Sequence, residues 1–219
     1  METLMNFLTD LNRNNNREWF KDNQERYEES RDQMLFFTGV MIQEIRKFDP
    51  GIPLISPKEC LFRIFRDVRF SNDKRPYKTH FGAYISPGGR KADRPGYYLH
   101  MEPEKSFIAG GIWNPEAAAL RAVRMEIHDN PEEFKEILSL DEFKKLYPAI
   151  EGEKLKTVPK GFDKDFIEVD LLRYKSYAFA TPLTDKQVLN GDLVGYAVHA
   201  CRQLYPVNRF LNAALDKWL

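Results

Sequence analysis

Cysteine is scarce: Cys60 and Cys201 are the only two in 219 residues, and no CxxC spacing or nearby His pattern accompanies them. Neither a disulfide framework nor a structural zinc site is therefore expected, and both residues are read as free thiols. Histidine is nearly as rare, with four in the chain. The closest approach to a ligand set is His100-x-Glu102 with His80 and Asp67 nearby, which meets no established spacing, so no metal and no cofactor are expected. Also missing is any apolar run near the roughly 18 residues of a membrane span, and the opening METLMNFLTDLNRNNNREWF is too interrupted for a signal peptide. The expectation is a cytoplasmic protein without a membrane partner. Neither sign of charge is in excess, since 33 Lys and Arg balance 33 Asp and Glu. No global field draws the chain onto nucleic acid, so any such attraction must be local. G-x-S-x-G, G-x-G-x-x-G and P-loop motifs are absent as well.

What is present is ample core material, 42% hydrophobic and 13% aromatic, with no repeat or linker to divide it. One domain over residues 1–219 is expected. Leu4, Phe7, Leu8 and Leu11 recur at helical spacing, and NRNNN stops that helix while offering Asn16 as the cap of the next. Apolar positions from Arg17 to Lys47 predict one long helix ended by Asp49-Pro50-Gly51. The middle third is rich in aromatic and β-branched residues: CLFRIFRDVRF, HFGAYIS, GYYLHME and SFIAGGIW read as antiparallel strands. PEK is a hairpin-length link, PGGRKADRPG a long basic loop, and Gly110-Gly111 a bulge or close backbone contact. Helices return at PEAAALRAVRMEIHD after an Asn114 cap, then at PEEFKEIL, DEFKKLY and DFIEVDLLRYK. SYAFATPL adds a strand, a helix follows from Thr184, and Pro206 begins a last turn or helix to Leu219. The fold class is α+β, a mainly antiparallel sheet of about five strands packed against a long N-terminal helix and C-terminal helices.

Charge is concentrated in one stretch. Between Arg63 and Lys78 six basic residues (Arg63, Arg66, Arg69, Lys74, Arg75, Lys78) face two acidic ones, Asp67 and Asp73. Read as strand, turn and strand, it places Phe62, Ile64, Val68 and Phe70 on one face and Arg63, Asp67 and Arg69 on the other, with Arg66 breaking the apolar side. Asp67 is expected to pair with an arginine of the motif. Arginine grips phosphate or carboxylate in two-point fashion, and lysine adds point charges. In GYYLHME the alternation sets Tyr98, His100 and Glu102 opposite Tyr97, Leu99 and Met101, while His80 and Tyr84 share a face of the neighbouring strand.

The segments NNNREWFKDNQERY, FRIFRDVRFSNDKRPYKTHF, YYLHMEPEKSFIAGGIWNPE and VPKGF resemble the bacterial domain-of-unknown-function family 2461. The central motif, R-x-x-R-D-x-R-F-S-x-D-K-x-P-Y-K, is met at Arg63, Arg66, Asp67, Arg69, Phe70, Ser71, Asp73, Lys74, Pro76, Tyr77 and Lys78. The resemblance implies one unit over residues 1 to about 215 and carries no catalytic residue with it.

The residues themselves point to a protein that binds or acts on a phosphate-bearing or carboxylate small molecule. Arg63, Arg66, Arg69, Asp73, Lys74, Tyr77, Lys78, His80 and Tyr98 are its expected ligand contacts, and His100, with Glu102 and Asp67, its acid–base group. Two alternatives stand beside this: a non-catalytic protein- or nucleic-acid-binding module, and a purely structural ion network. Zero net charge argues against extended duplex binding and leaves a short strand or nucleotide.

Overall fold

In the computed structural model, which describes residues 1–219, α1 (Glu2–Arg13) forms where the apolar spacing predicts it, with Leu4, Phe7, Leu8 and Leu11 all buried. Asn16 caps α2 (Arg17–Asp22) by accepting from the Trp19 N–H at 2.9 Å. The single long helix expected from Arg17 to Lys47 is instead two, because Asn23 leaves helical geometry before α3 (Gln24–Arg46). Its side chain donates to the Trp19 carbonyl and accepts from Arg26, giving the chain a local alternative to helix propagation. Phe20 is buried against Tyr27 and Tyr77.

The sheet is antiparallel and has four strands rather than about five, in the order β1 (Phe81–Ile85), β2 (Gly96–Met101), β3 (Ser106–Ile112) and β4 (Tyr177–Leu183). The missing strand is residues 61–70. That stretch runs back on residues 76–83 with only isolated bridges, Leu61 with Ala83 and Phe65 with Tyr77. Lys78 N–H bonds the Ile64 carbonyl, and Phe62 N–H bonds that of Gly82. Two residues on the outgoing arm therefore oppose four on the returning one, and a continuous ladder cannot form. Ile64 is buried, whereas Phe70, assigned to the same face by alternation, is 95% exposed at the tip of an open turn.

One face of the sheet carries Phe81, Ala83, Ile85, Tyr97, Leu99, Met101 and Ile108, all within a single cluster of 46 buried residues. α3 closes over β1, with Tyr27 stacked on Phe81. α10 (Leu193–Trp218) crosses β3, and Asn208 on it binds the Gly111 N–H and the Gly96 carbonyl. Pro206, expected to begin a last turn or helix, lies inside α10, whose buried stripe continues on both sides of it. α4 (Pro57–Cys60) precedes the basic stretch, and the helices α5 (Ala117–Asp129), α6 (Pro131–Ser139), α7 (Asp141–Leu146), α8 (Val169–Leu172) and α9 (Asp185–Leu189) complete the chain. Asn114 stands ahead of α5 rather than capping it, since Glu116 is the residue before its first turn. DFIEVDLLRYK keeps one helical turn, and Asp163 folds back on the Asp165 N–H instead. Cys60 and Cys201 are free and buried. No helix is long and apolar enough to cross a membrane.

Candidate functional site

The second face of the sheet is left open by the helices. Strand alternation sends Tyr84, Tyr98, Phe107, Ala109, Ala178 and Ala180 to this side, and the register sets Tyr84, Tyr98, Ala109 and Ala180 in one row across the four strands. They floor a cavity of about 620 Å³. Its walls come from Phe62 and Lys78 on one side, Arg90, Asp93 and Arg94 of the basic loop on another, and Trp113 with Glu151 beyond.

Small side chains are what keep the floor low. Gly111 has φ +92, and a Cβ there would stand 2.0 Å from the Tyr177 carbonyl oxygen across the ladder, so only glycine lets β3 and β4 close at this point. Gly82 does the same for Tyr98, whose hydroxyl would lie 2.5 Å from any Cβ at residue 82. The hydroxyl sits over β1 and reaches His100.

A hydrogen-bonded line results. The Tyr98 hydroxyl is 3.1 Å from His100 Nδ1, His100 Nε2 is 3.1 Å from Glu102 Oε2, and the Thr79 hydroxyl donates to Glu102 Oε1 at 2.7 Å. An ionised carboxylate only accepts, so the His100 proton resides on Nε2 and Nδ1 accepts from the tyrosine. The His100 ring is stacked on Phe107 at 4.4 Å and lies 4.3 Å from the His80 ring. Burial, helped by His100, pushes His80 down to about 4. Burial also lowers His100, outweighing Glu102. For Glu102 burial acts upward, yet the hydrogen bonds from Thr79 and His100 prevail and the carboxyl is lowered. Burial, with Glu102 adding to it, raises Tyr98 to about 12.

Lys78 is half-buried and depressed, first by burial and then by Arg63. Its ammonium lies 5.5 Å from the Phe62 ring. Arg90 donates to the carbonyls of Lys58 and Glu59. Neither cation has a carboxylate partner, whereas Arg94 is paired with Asp216.

The expected site residues thus divide into two groups. Lys78 and Tyr98 line the cavity, whereas His80, His100 and Glu102 cluster outside its lining, with His100 against the cavity residues Tyr98 and Phe107. Arg63, Arg66, Arg69, Asp73 and Lys74 do not line it. In the turn Asp67 takes Arg69 through both carboxylate oxygens, at 3.0 and 2.7 Å, and Asp73 takes Arg75 and, at 2.8 Å, Arg66. The expected pairing of Asp67 with a motif arginine is therefore present, but it orients no cavity residue. Asp67 and Asp73 each also accept the backbone N–H two residues on, the local bond that aspartate makes in turns. Lys74 bonds the Val68 carbonyl, and Arg66 the Arg75 carbonyl. Tyr77 belongs to the core: its ring stacks on Phe20 at 3.9 Å and its backbone is held by Asn15. Neither Arg66 nor His100 lines the cavity.

Sequence reasoning missed Thr79, Phe107, Arg90 and Arg94 as site residues. The basic loop PGGRKADRPG was the one legible signal for the last two, and Phe107 was visible only as part of a strand.

Over residues 3–210 the chain matches the family described as "Conserved hypothetical protein (DUF2461)". No curated protein and no solved structure matches it.

Proposed function

The chain belongs to the DUF2461 family, and within that unit we propose that it binds a small molecule with an aromatic or apolar body and an anionic group, phosphate or carboxylate, in the cavity on the open face of the sheet. The volume, about 620 Å³, lies in the range of drug- and nucleotide-sized ligands. Tyr84, Tyr98 and Phe107 offer flat apolar surface to the body of the ligand. The observation that carries the reading is Lys78. A cation half withdrawn from water without an acidic partner loses solvation that its 5.5 Å contact with the Phe62 ring replaces only in part. An anion in the cavity supplies the missing partner, with Arg90 beside it. Tyr98 lines the cavity and is hydrogen-bonded to His100 and through it to Glu102 behind the lining, the line on which chemistry on the ligand would draw.

The test is a thermal-shift panel of nucleoside monophosphates, aryl phosphates and aryl carboxylates, followed by titration of the strongest hit. A ligand that prefers the native state raises its unfolding midpoint. Lys78→Met removes a charge-assisted hydrogen bond of about 1.5 to 3 kcal/mol and weakens binding roughly 10- to 150-fold. Arg66→Ala, outside the cavity, leaves the affinity unchanged. Equal affinity in Lys78→Met, or a loss confined to Arg66→Ala, would move the anion site from the cavity to the turn.

A further inference from the structure

Next to the cavity residues Tyr98 and Phe107, but outside the lining, two imidazoles and a carboxylate come together from β1, β2 and the residues flanking them. His100 and Glu102 alternate onto the same side of β2, and Phe81 pairs with Met101, so His80 comes next along β1 opposite Glu102. One donor atom from each of the three residues lies within 4.8 Å of the others. We propose that His80, His100 and Glu102 bind a divalent first-row transition metal ion, with the remaining coordination positions left to water or to a ligand.

Four observations support the site. The donor set is of the kind that holds zinc or ferrous iron with open positions, two neutral imidazoles and one carboxylate. The His80 ring is half-buried and lies 4.3 Å from that of His100, tilted by 31°, and its nitrogens, bonded to no protein group and not sealed from solvent, are free to ligate.

The other two observations concern the outer shell. Metal-ligating histidines keep their second nitrogen hydrogen-bonded, and ligating carboxylates are held in turn. Tyr98 occupies His100 Nδ1 and so leaves Nε2 for the ion; Thr79 occupies Glu102 Oε1 and leaves Oε2. Each of these ligands thus has an orienting partner that the metal does not need. Donors around a tetrahedral ion at about 2.0 to 2.1 Å stand roughly 3.3 Å apart. His100 Nε2 and Glu102 Oε2 are already at 3.1 Å. Closure requires a modest swing of the His80 ring. On binding, His100 changes tautomer with no net proton release: its proton passes by way of solvent from Nε2 to Nδ1, which then donates to the Tyr98 oxygen, while the Tyr98 hydroxyl keeps its own proton and turns it away from the ring.

The experiment uses the full chain, stripped with chelator, and needs no organic ligand, so its outcome is separate from that of the anion reading. Zn²⁺ is titrated calorimetrically and Co²⁺ by its visible absorption. One equivalent should bind, with the intense visible band of a low-coordinate cobalt site. Tyr98→Phe should weaken binding about 10- to 100-fold, as loss of an outer-shell partner does. His80→Ala, His80→Gln and Glu102→Gln should each weaken it further, while His128→Ala and His199→Ala leave it intact. Metal-free melting curves of every variant separate lost ligation from lost folding, and His80→Gln retains bulk if the alanine variant unfolds. Unchanged Zn²⁺ affinity in folded His80 and Glu102 variants, or wild-type affinity no better than that of the double variant His80→Ala, Glu102→Gln, would overturn the assignment.

Discussion

Replacing Gly111 by alanine tests whether the cavity floor depends on the close approach of β3 and β4. The new Cβ would lie 2.0 Å from the Tyr177 oxygen and 3.0 Å from its carbonyl carbon, both main-chain atoms of β4. No side-chain rotation relieves that clash, so the strands must part where Gly111 opposes Ala178 and Ile112 opposes Tyr177. The left-handed backbone adds about 1 to 2 kcal/mol for a residue with a side chain. Loss of one or two ladder hydrogen bonds adds about 1 kcal/mol each. Strain from the displaced Asn208 contact brings the sum to roughly 3 to 5 kcal/mol. At about 2 to 4 °C per kcal/mol for a chain of this size, the midpoint should fall by roughly 6 to 20 °C. Far-ultraviolet circular dichroism during heating reads this directly, and urea unfolding checks the free energy. Gly191→Ala is the control, because nothing lies within 4 Å of its Cβ. It should stay within about 0.5 kcal/mol of wild type. If both variants melt together, the reasoning about the β3–β4 approach is wrong.

Ile64→Ala should cost about 2 to 5 kcal/mol, since the side chain is only 1% exposed, whereas Phe70→Ser should stay within about 0.5 kcal/mol; comparable losses in urea unfolding would restore a packed strand over residues 61–70. Lys78→Met should leave stability within about 1 kcal/mol, because the cation–π contact with Phe62 that it loses is offset by relief of a desolvated charge; a fall of several kcal/mol in the same assay would show that Lys78 has a structural partner. Glu126 accepts from Lys217, Trp218 and Asn130, and although burial acts upward these bonds hold its carboxyl below the ordinary 4.5. A depressed native value stabilises the fold above pH 4.5 and ceases to do so as the pH drops through that native value. Wild type should therefore exceed Glu126→Gln in melting temperature at pH 7 and lose that margin on acidification, and a margin that is constant from pH 7 to pH 3 contradicts the assignment.

Elements whose cause is local were readable from residue order. The period of Leu4, Phe7, Leu8 and Leu11, the Asn16 cap and the alternation of GYYLHME all depend on neighbours within a few positions, and each is present. The same holds for the turn, where Asp67 and Asp73 bond residues two places on. The errors arise where local pattern meets distant geometry. Phe62, Ile64, Val68 and Phe70 alternate as a strand would, but a strand needs a partner in register, and the returning arm carries too many residues to supply one. Asn23 breaks a helix that apolar spacing alone would continue.

The sequence by itself determined that Tyr98, His100 and Glu102 share one side of a strand, because side-chain direction in an extended chain is fixed by parity. It also pointed to an arginine partner for Asp67, because that bond closes within the turn, although Asp73, read as a ligand contact, is held by Arg75 and Arg66 in the same way. Only the tertiary structure decided which side of the sheet the helices cover, and hence that this side is a cavity rather than core. It also decided the β1–β2 register that brings His80 to His100, the choice of Lys78 over Arg66 as the cation at the cavity wall, and the approach of β4 that requires glycine at residue 111. These depend on pairings between residues tens of positions apart, where the energy of packing one face selects the register and the chain's local preferences do not.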